Sequence, residues 1–467
     1  MVVPVNGTRF ERQATTIMTS RNYRTSDPQD DQNLAALVRN LLLYGLLLYL
    51  FTSEAGSLLS HESESDLVAD ASSDAGNLYN QLVLSAAFFA TCILVYAHRV
   101  PVRVLLAPMM PMGAMLLLIA LSTMWSDYPE LTVRRASHEI IEVTTLAMLA
   151  SCFSSATVVL RIFFRAFLTV GILDIFSAIA FPDSITVLGF AGIHGHKNLA
   201  GQFFFLALPV FLLGSCYKEI SRNRLLGLIC LICGAAMLVL TDSKTSIGAT
   251  IAGFLLVLLT RGLSNRDPGL RVPLLVLCLL ALLCAIVAIM NWTTDELLQM
   301  LVGDPTLTGR DGIWLYAISK FDGSPMLGVG YGAIWQIGPA IQGALQDMGI
   351  MLVFNEAHNG YLEIASQLGI LGLICLAIFL LATLLNVLSC WATIEKRAFY
   401  GVGALSVYVF WGFILYNITE SLYFQAGLAS SSTFMFLAAF VASYRKRSMI
   451  ETTAMVARST FAPIPYA

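Results

Sequence analysis

The chain has 467 residues, 57% hydrophobic and only 12% charged, with a mean hydropathy of +0.75 and a formal net charge of -3. Soluble domains carry charge on about a quarter of their residues, so this composition excludes one and points to a polytopic membrane protein. The balance, without a basic stripe, argues against a nucleic-acid partner. The cysteines fall in or beside apolar runs, where they read as packing residues rather than a disulfide framework.

A span needs about 20 apolar residues to cross roughly 30 Å of hydrocarbon. Stretches of that kind lie at 34–52, 81–97, 104–124, 139–154, 157–181, 199–216, 224–241, 245–260, 272–290, 362–390, 400–418 and 424–444. The expected architecture is therefore all-α, with about twelve transmembrane helices and a large loop between helices 9 and 10. A tail at 1–33, nine spans over 34–290, the loop at 291–361, three spans over 362–444 and a tail at 445–467 divide the chain. With both tails cytoplasmic, all but six of the 27 Lys and Arg residues face inward, as the positive-inside rule favours. The first outside loop holds Glu54, Glu62, Glu64, Asp66, Asp70 and Asp74 and no cation.

The six outward cations are Arg134, Arg135, Lys197, Lys244, Arg310 and Lys320, and five of them sit in compact polar motifs. W-S-D-Y-P-E-L-T-V-R-R (Trp125 to Arg135) reads either as an interfacial belt with snorkelling arginines or as a phosphate seat, since guanidinium grips phosphate bidentately. G-I-H-G-H-K-N-L-A-G (Gly192 to Gly201) puts His194, His196 and Lys197 at a helix N-terminus, which attracts anions, with Asn198 as a possible cap. Two histidines without further ligands nearby do not make a metal site, so no metal is expected. T-D-S-K-T-S (Thr241 to Ser246) is a tight turn that carries Lys244 toward the other cations. In the long loop, T-G-R-D-G-I-W (Thr308 to Trp314) offers Arg310 between glycines, and G-V-G-Y-G (Gly328 to Gly332) offers backbone freedom without a nucleotide fingerprint. E-A-H-N-G-Y-L-E (Glu356 to Glu363) holds His358, with Glu356 and Glu363 close enough in sequence to orient its imidazole. Glu139, Glu142 and Asp174 are ionisable residues within spans and are candidates by default. The N-x-T triplets at Asn6, Asn291 and Asn417 are read as chance.

In the same order, from about residue 125 to 380, these motifs resemble the bacterial O-antigen ligase and polymerase superfamily, nearest its exopolysaccharide-polymerase branch. The resemblance implies a multi-pass glycosyltransferase at the periplasmic face of the inner membrane, with a glycan on undecaprenyl diphosphate as donor and neither cofactor nor metal. It implies that His358 assists the acceptor hydroxyl and that Arg310 binds the diphosphate. Arg134, Arg135, Lys197 and Lys244 would bind phosphate or lipid carrier, with His196, Asn198, Asn359, Tyr361 and Glu363 in support. Lys244 stands where the family usually has arginine, which keeps the charge and loses the bidentate fork. The resemblance also implies a flippase and a chain-length regulator as partners. A ligase acting on lipid A core or protein shares this donor chemistry. A transporter would place its polar residues at the membrane midplane, often in inverted repeats, and no repeat is seen.

Overall fold

The computed structural model describes residues 28–53, 78–263, 310–335, 356–394 and 401–460. Most of the N-terminal tail, the acidic loop, the ninth expected span and residues 291–309 and 336–355 of the long loop lie outside the described residues. The helices in chain order are α1 (Pro28–Thr52), α2 (Leu78–Ala97), α3 (Val102–Leu121), α4 (Pro129–Ser151), α5 (Ala156–Ala180), α6 (Lys197–Cys216), α7 (Arg224–Leu240), α8 (Lys244–Leu263), α9 (Arg310–Gly323), α10 (Gly360–Ile394), α11 (Gly401–Tyr416) and α12 (Ala429–Thr460). A two-strand hairpin, β1 (Ile185–Thr186) against β2 (Gly189–Phe190), pairs Ile185 with Phe190 between α5 and α6.

Among the described residues, seven helices are long and apolar enough to cross a membrane: α1, α2, α3, α5, α6, α8 and α10. The apolar α7 and α11 are shorter. The expected spans 139–154 and 424–444 are displaced. Pro129, whose fixed φ suits a first helical turn, starts α4 ten residues before Glu139, so Arg134 and Arg135 are helical rather than part of a loop. α12 begins only at Ala429, which leaves 417–428 as a connection buried over Glu420 to Phe424.

α6 and α11 form the interior. α11 is apolar all round and buried along nearly its whole length, as such a helix must be. The aromatic rings of Phe205, Tyr408, Phe413 and Phe434 pack there. α2 and α7, by contrast, turn Phe89, Ile93, Ile232 and Val239 outward. Polar connections between the described helices collect at two ends. At one, Arg39 and Arg447 donate to the carbonyls of Cys152 and Ser151, and Arg161 to that of Glu219. At the other lie the motif segments.

There α10 is broken at Gly369 (φ +65). The backbone groups freed by the break are taken up by the segment after α9. The carbonyls of Ser366 and Gln367 accept from Val329 N (3.1 Å) and Gly330 N (2.9 Å), while Ile370 N donates to Pro325 O (2.8 Å). Unsatisfied peptide groups are costly at membrane depth, so the G-V-G-Y-G run and the helix break support each other. A Cβ on Gly330 (φ +107) would lie 2.5 Å from Ser126 Oγ, hence the glycine.

Candidate functional site

Three of the sequence motifs converge on one carboxylate, Glu420, in the connection between α11 and α12, and a fourth joins them through Asn198. Arg310, the first residue of α9, donates through Nη2 to Glu420 Oε1 (3.0 Å) and through Nη1 to Thr419 O (2.7 Å). Asn198, in the first turn of α6, donates to the same Oε1 (2.9 Å) and accepts from Ser243 Oγ of the Thr241–Ser246 turn (3.2 Å). His358 Nδ1 lies 3.1 Å from Glu420 Oε2 and 3.0 Å from Glu356 Oε1. Glu420 is sealed, its side chain 2% exposed, whereas His358 (24%), Glu356 (27%) and Arg310 (15%) are reachable.

Two devices hold His358. Its own backbone is left-handed (φ +49), a conformation that costs non-glycine residues and persists only when the surroundings impose it. Asn359 then caps α10, its Oδ1 accepting from Tyr361 N (3.1 Å) and Leu362 N (3.0 Å), while Gly360 N donates to the carbonyls of Asn417 and Glu420. Glu363 does not reach the imidazole. It accepts from Ala357 N (2.6 Å), from Trp335 Nε1 (2.9 Å) and from Gln367, and so ties the His358 turn to the loop after α9. Tyr361 donates to Ile414 O (2.9 Å), fastening α10 to α11.

Burial alone would push the His358 imidazole down, but hydrogen bonds and charge from Glu356 and Glu420 outweigh it and raise its pKa to about 9. Burial pushes Glu420 up, yet its bonds to His358 and the charges of His358 and Arg310 leave it below the usual carboxylate range. Glu356 is raised, chiefly by burial. In the resting protein His358 is therefore an imidazolium at neutral pH, a proton donor rather than a free base. His196 caps α6, accepting from Asn198 N (3.2 Å); burial depresses its pKa, and it feels the charges of Glu420, His358, Lys197 and Arg310.

Glu356, His358 and Glu420 present ligand-type atoms within 4.8 Å of one another, a set that could also hold a cation. The sequence expectation of no metal rested on the histidines near Gly192 and on the family resemblance, and did not foresee this grouping. Here Nδ1 bridges both carboxylates and Arg310 neutralises Glu420, so the proton and the guanidinium already supply the positive charge a metal would bring.

The other outward cations are placed differently. Arg135 donates through Nη1 to the carbonyls of Gly332 and Trp335 (2.9 Å for the latter), bracing the loop after α9. Lys197 donates to Leu188 O (3.0 Å) and Asp242 O (3.4 Å). Arg134 lies half-buried early in α4, Lys244 is exposed at the first residue of α8, and Lys320 sits over the Tyr316 ring. Sequence reasoning missed Glu420 altogether. The signal was present: an acid in the short interval between two apolar runs.

Two comparisons bear on this arrangement. Residues 229–377 match the model of the O-antigen ligase family, a stretch that holds Lys244, Arg310, Glu356, His358 and Glu363 but not Asn198 or Glu420. Over 229 residues the chain is 29% identical to the exopolysaccharide production protein ExoQ of Rhizobium meliloti (strain 1021). That alignment covers 46% of this chain and 52% of the relative, so the chain spans about half the length of the protein it matches. Both findings support the resemblance read from the ordered motifs: over the region they match, this membrane protein is similar to the O-antigen ligase family and to ExoQ.

Proposed function

We propose that the protein is a membrane glycosyltransferase that polymerises oligosaccharide repeat units, carried on undecaprenyl diphosphate, into exopolysaccharide at the periplasmic face of the inner membrane. The observation that carries this reading is the convergence of Arg310 and His358, from two matched motifs, on the sealed carboxylate of Glu420.

In the reaction an acceptor hydroxyl forms a bond to the anomeric carbon of the donor while the bond from that carbon to the diphosphate oxygen breaks. Negative charge grows on the departing diphosphate, and the hydroxyl loses a proton. Arg310 meets the first need: of its five N–H donors, the bonds to Glu420 and Thr419 engage Nη1 and Nη2 once each, leaving donors for phosphate oxygens. The imidazolium of His358 adds a second cation. The proton passes to the carboxylate side of the cluster, where Glu356 is the reachable acid, and His358 fixes that acid's position. Diphosphate is a good leaving group, so positioned charge and a proton acceptor are the main requirements.

A ligase that moves a finished glycan to lipid A core or to protein would use the same centre, and a flippase and a chain-length regulator are the expected partners of a polymerase. The test is the glycan profile of a deletion strain carrying wild type or His358→Ala. Single repeat units accumulating in the mutant, with long polymer in wild type, support a polymerase. Normal-length chains stranded on lipid point to a ligase, and identical profiles overturn the reading. Activity that vanishes in EDTA and returns with a divalent ion would give the Glu356–His358–Glu420 group to a metal.

A further inference from the structure

A second concavity of about 750 Å³ opens between the end of α1, the start of α2, α4 and the Ala426–Leu428 stretch of the connection that carries Glu420. The polar centre described above contributes none of its lining. Tyr49 and Tyr79 stand together in its wall, ring centroids 6.1 Å apart and planes tilted by 59°. Thr52, Asn80, His138 and Glu142 add a hydroxyl, an amide, an imidazole and a carboxylate to the lining, and leucines complete it.

Glu142 is buried and rigidly held. It accepts from Gly427 N (2.8 Å) and from the Ser432 hydroxyl, and His138 Nε2 lies 3.9 Å away. The wall thus alternates aromatic faces with directional donors and acceptors, at the end of the bundle where the motif segments gather. An isoprenoid chain would call for an apolar groove, and a metal would need more converging ligands than one acid and one histidine. Sugars suit both features, because their C–H faces pack on tyrosine rings while their hydroxyls pair with carboxylate, amide and imidazole. The volume lies in the range of small-ligand pockets.

We infer that this concavity is a saccharide subsite, which holds sugars of the glycan away from the reacting residue and is tied through Gly427 to the connection that bears Glu420. The identity of the saccharide as part of a growing polymer rests on the polymerase reading above.

The test uses full-length protein in nanodiscs and, as probe, the oligosaccharide repeat unit released from the host's own polysaccharide. Saturation-transfer NMR should show the probe binding to wild type and equally to His358→Ala, in which bond formation is lost. Tyr79→Ala and His138→Ala should weaken binding at least tenfold and shorten the polymer made in cells, with Tyr79→Phe restoring both and melting curves confirming folded protein. Binding unchanged in Tyr79→Ala and His138→Ala, or displacement of nothing but free undecaprenyl phosphate from wild type, would overturn the inference. Probe binding that follows this pattern in a protein that forms no glycosidic bond would instead sink the polymerase reading and leave the subsite standing.

Discussion

Two histidines at the same end of the bundle meet a carboxylate at 3.1 Å, His358 at Glu420 and His194 at Asp174, and their surroundings give them different work. His194 is sealed, stacked on Phe203 with centroids 5.3 Å apart, and the other oxygen of Asp174 accepts from Ile193 N (3.2 Å). A Cβ on Gly192 would fall 2.3 Å from that carboxylate, so the turn is shaped around it. The pair is a clip: it sets the turn from which His196 and Asn198 reach the Glu420 cluster. His358, in contrast, shares a second acid with solvent access and stands in the field of Arg310. Identical chemistry is sealed as support in one pair and left within reach of a ligand in the other.

The sharpest test of this contrast is Glu420→Ala, which strands a guanidinium and an imidazolium together. Removing one partner of a buried ion pair costs about 3–5 kcal/mol. We expect no polymer and a markedly lower melting temperature in detergent; near-wild-type melting would mean that the three motifs are held by something else. His358→Ala comes next, with bond formation falling by about 10² to 10⁴, the usual worth of a positioned acid–base group, while membrane insertion is kept. A fall below tenfold in an in vitro transfer assay would remove His358 from the centre.

The pH profile follows. The folded-state pKa of His358, about 9, lies above its unfolded value near 6.5, so the stability it contributes is fully present below about pH 6.5 and lost as pH rises through about 9. Transfer that needs the imidazolium declines over the same interval, and His358→Gln abolishes that limb. Activity that climbs toward pH 9 would restore the histidine as the free base.

Asp174→Asn should do less, because it weakens a clip without touching the open cluster. A hydrogen bond to a charged group is worth about 1.5–3 kcal/mol, so a lowered melting temperature with roughly tenfold slower transfer is expected by the same assays. A loss as complete as that of His358→Ala would dissolve the distinction between the two pairs. Lys197→Ala should matter least, under tenfold in transfer rate, since its ammonium is engaged by two carbonyls.

Much of this was legible in the amino-acid order. Hydropathy is summed over neighbours, so most spans could be read directly; α4 was mislaid because its charged first turns hide a helix from any apolar window. Arg310 and His358 stood out for similar reasons, as charge set in short polar motifs between apolar runs. Glu420 did not. Its partners His358, Arg310 and Asn198 lie 62, 110 and 222 residues away, and its position between two apolar runs marks an acid without saying what converges on it. Arg135 hides a second role in the same way: its Nη1 donates to the carbonyls of Gly332 and Trp335, 197 and 200 residues on, a loop tie that two adjacent arginines in the sequence do not announce.

By itself, then, the sequence determined that the chain is a helical membrane protein whose ordered motifs resemble the O-antigen ligase family, and which polar segments interrupt its apolar runs, because burial in lipid is decided residue by residue along the chain. Only the tertiary structure decided which charges meet, which are spent on holding loops, and that His358 carries a proton at rest. Those properties belong to groups brought within hydrogen-bond distance across the fold, and a pKa or a salt bridge exists only once both partners are in place.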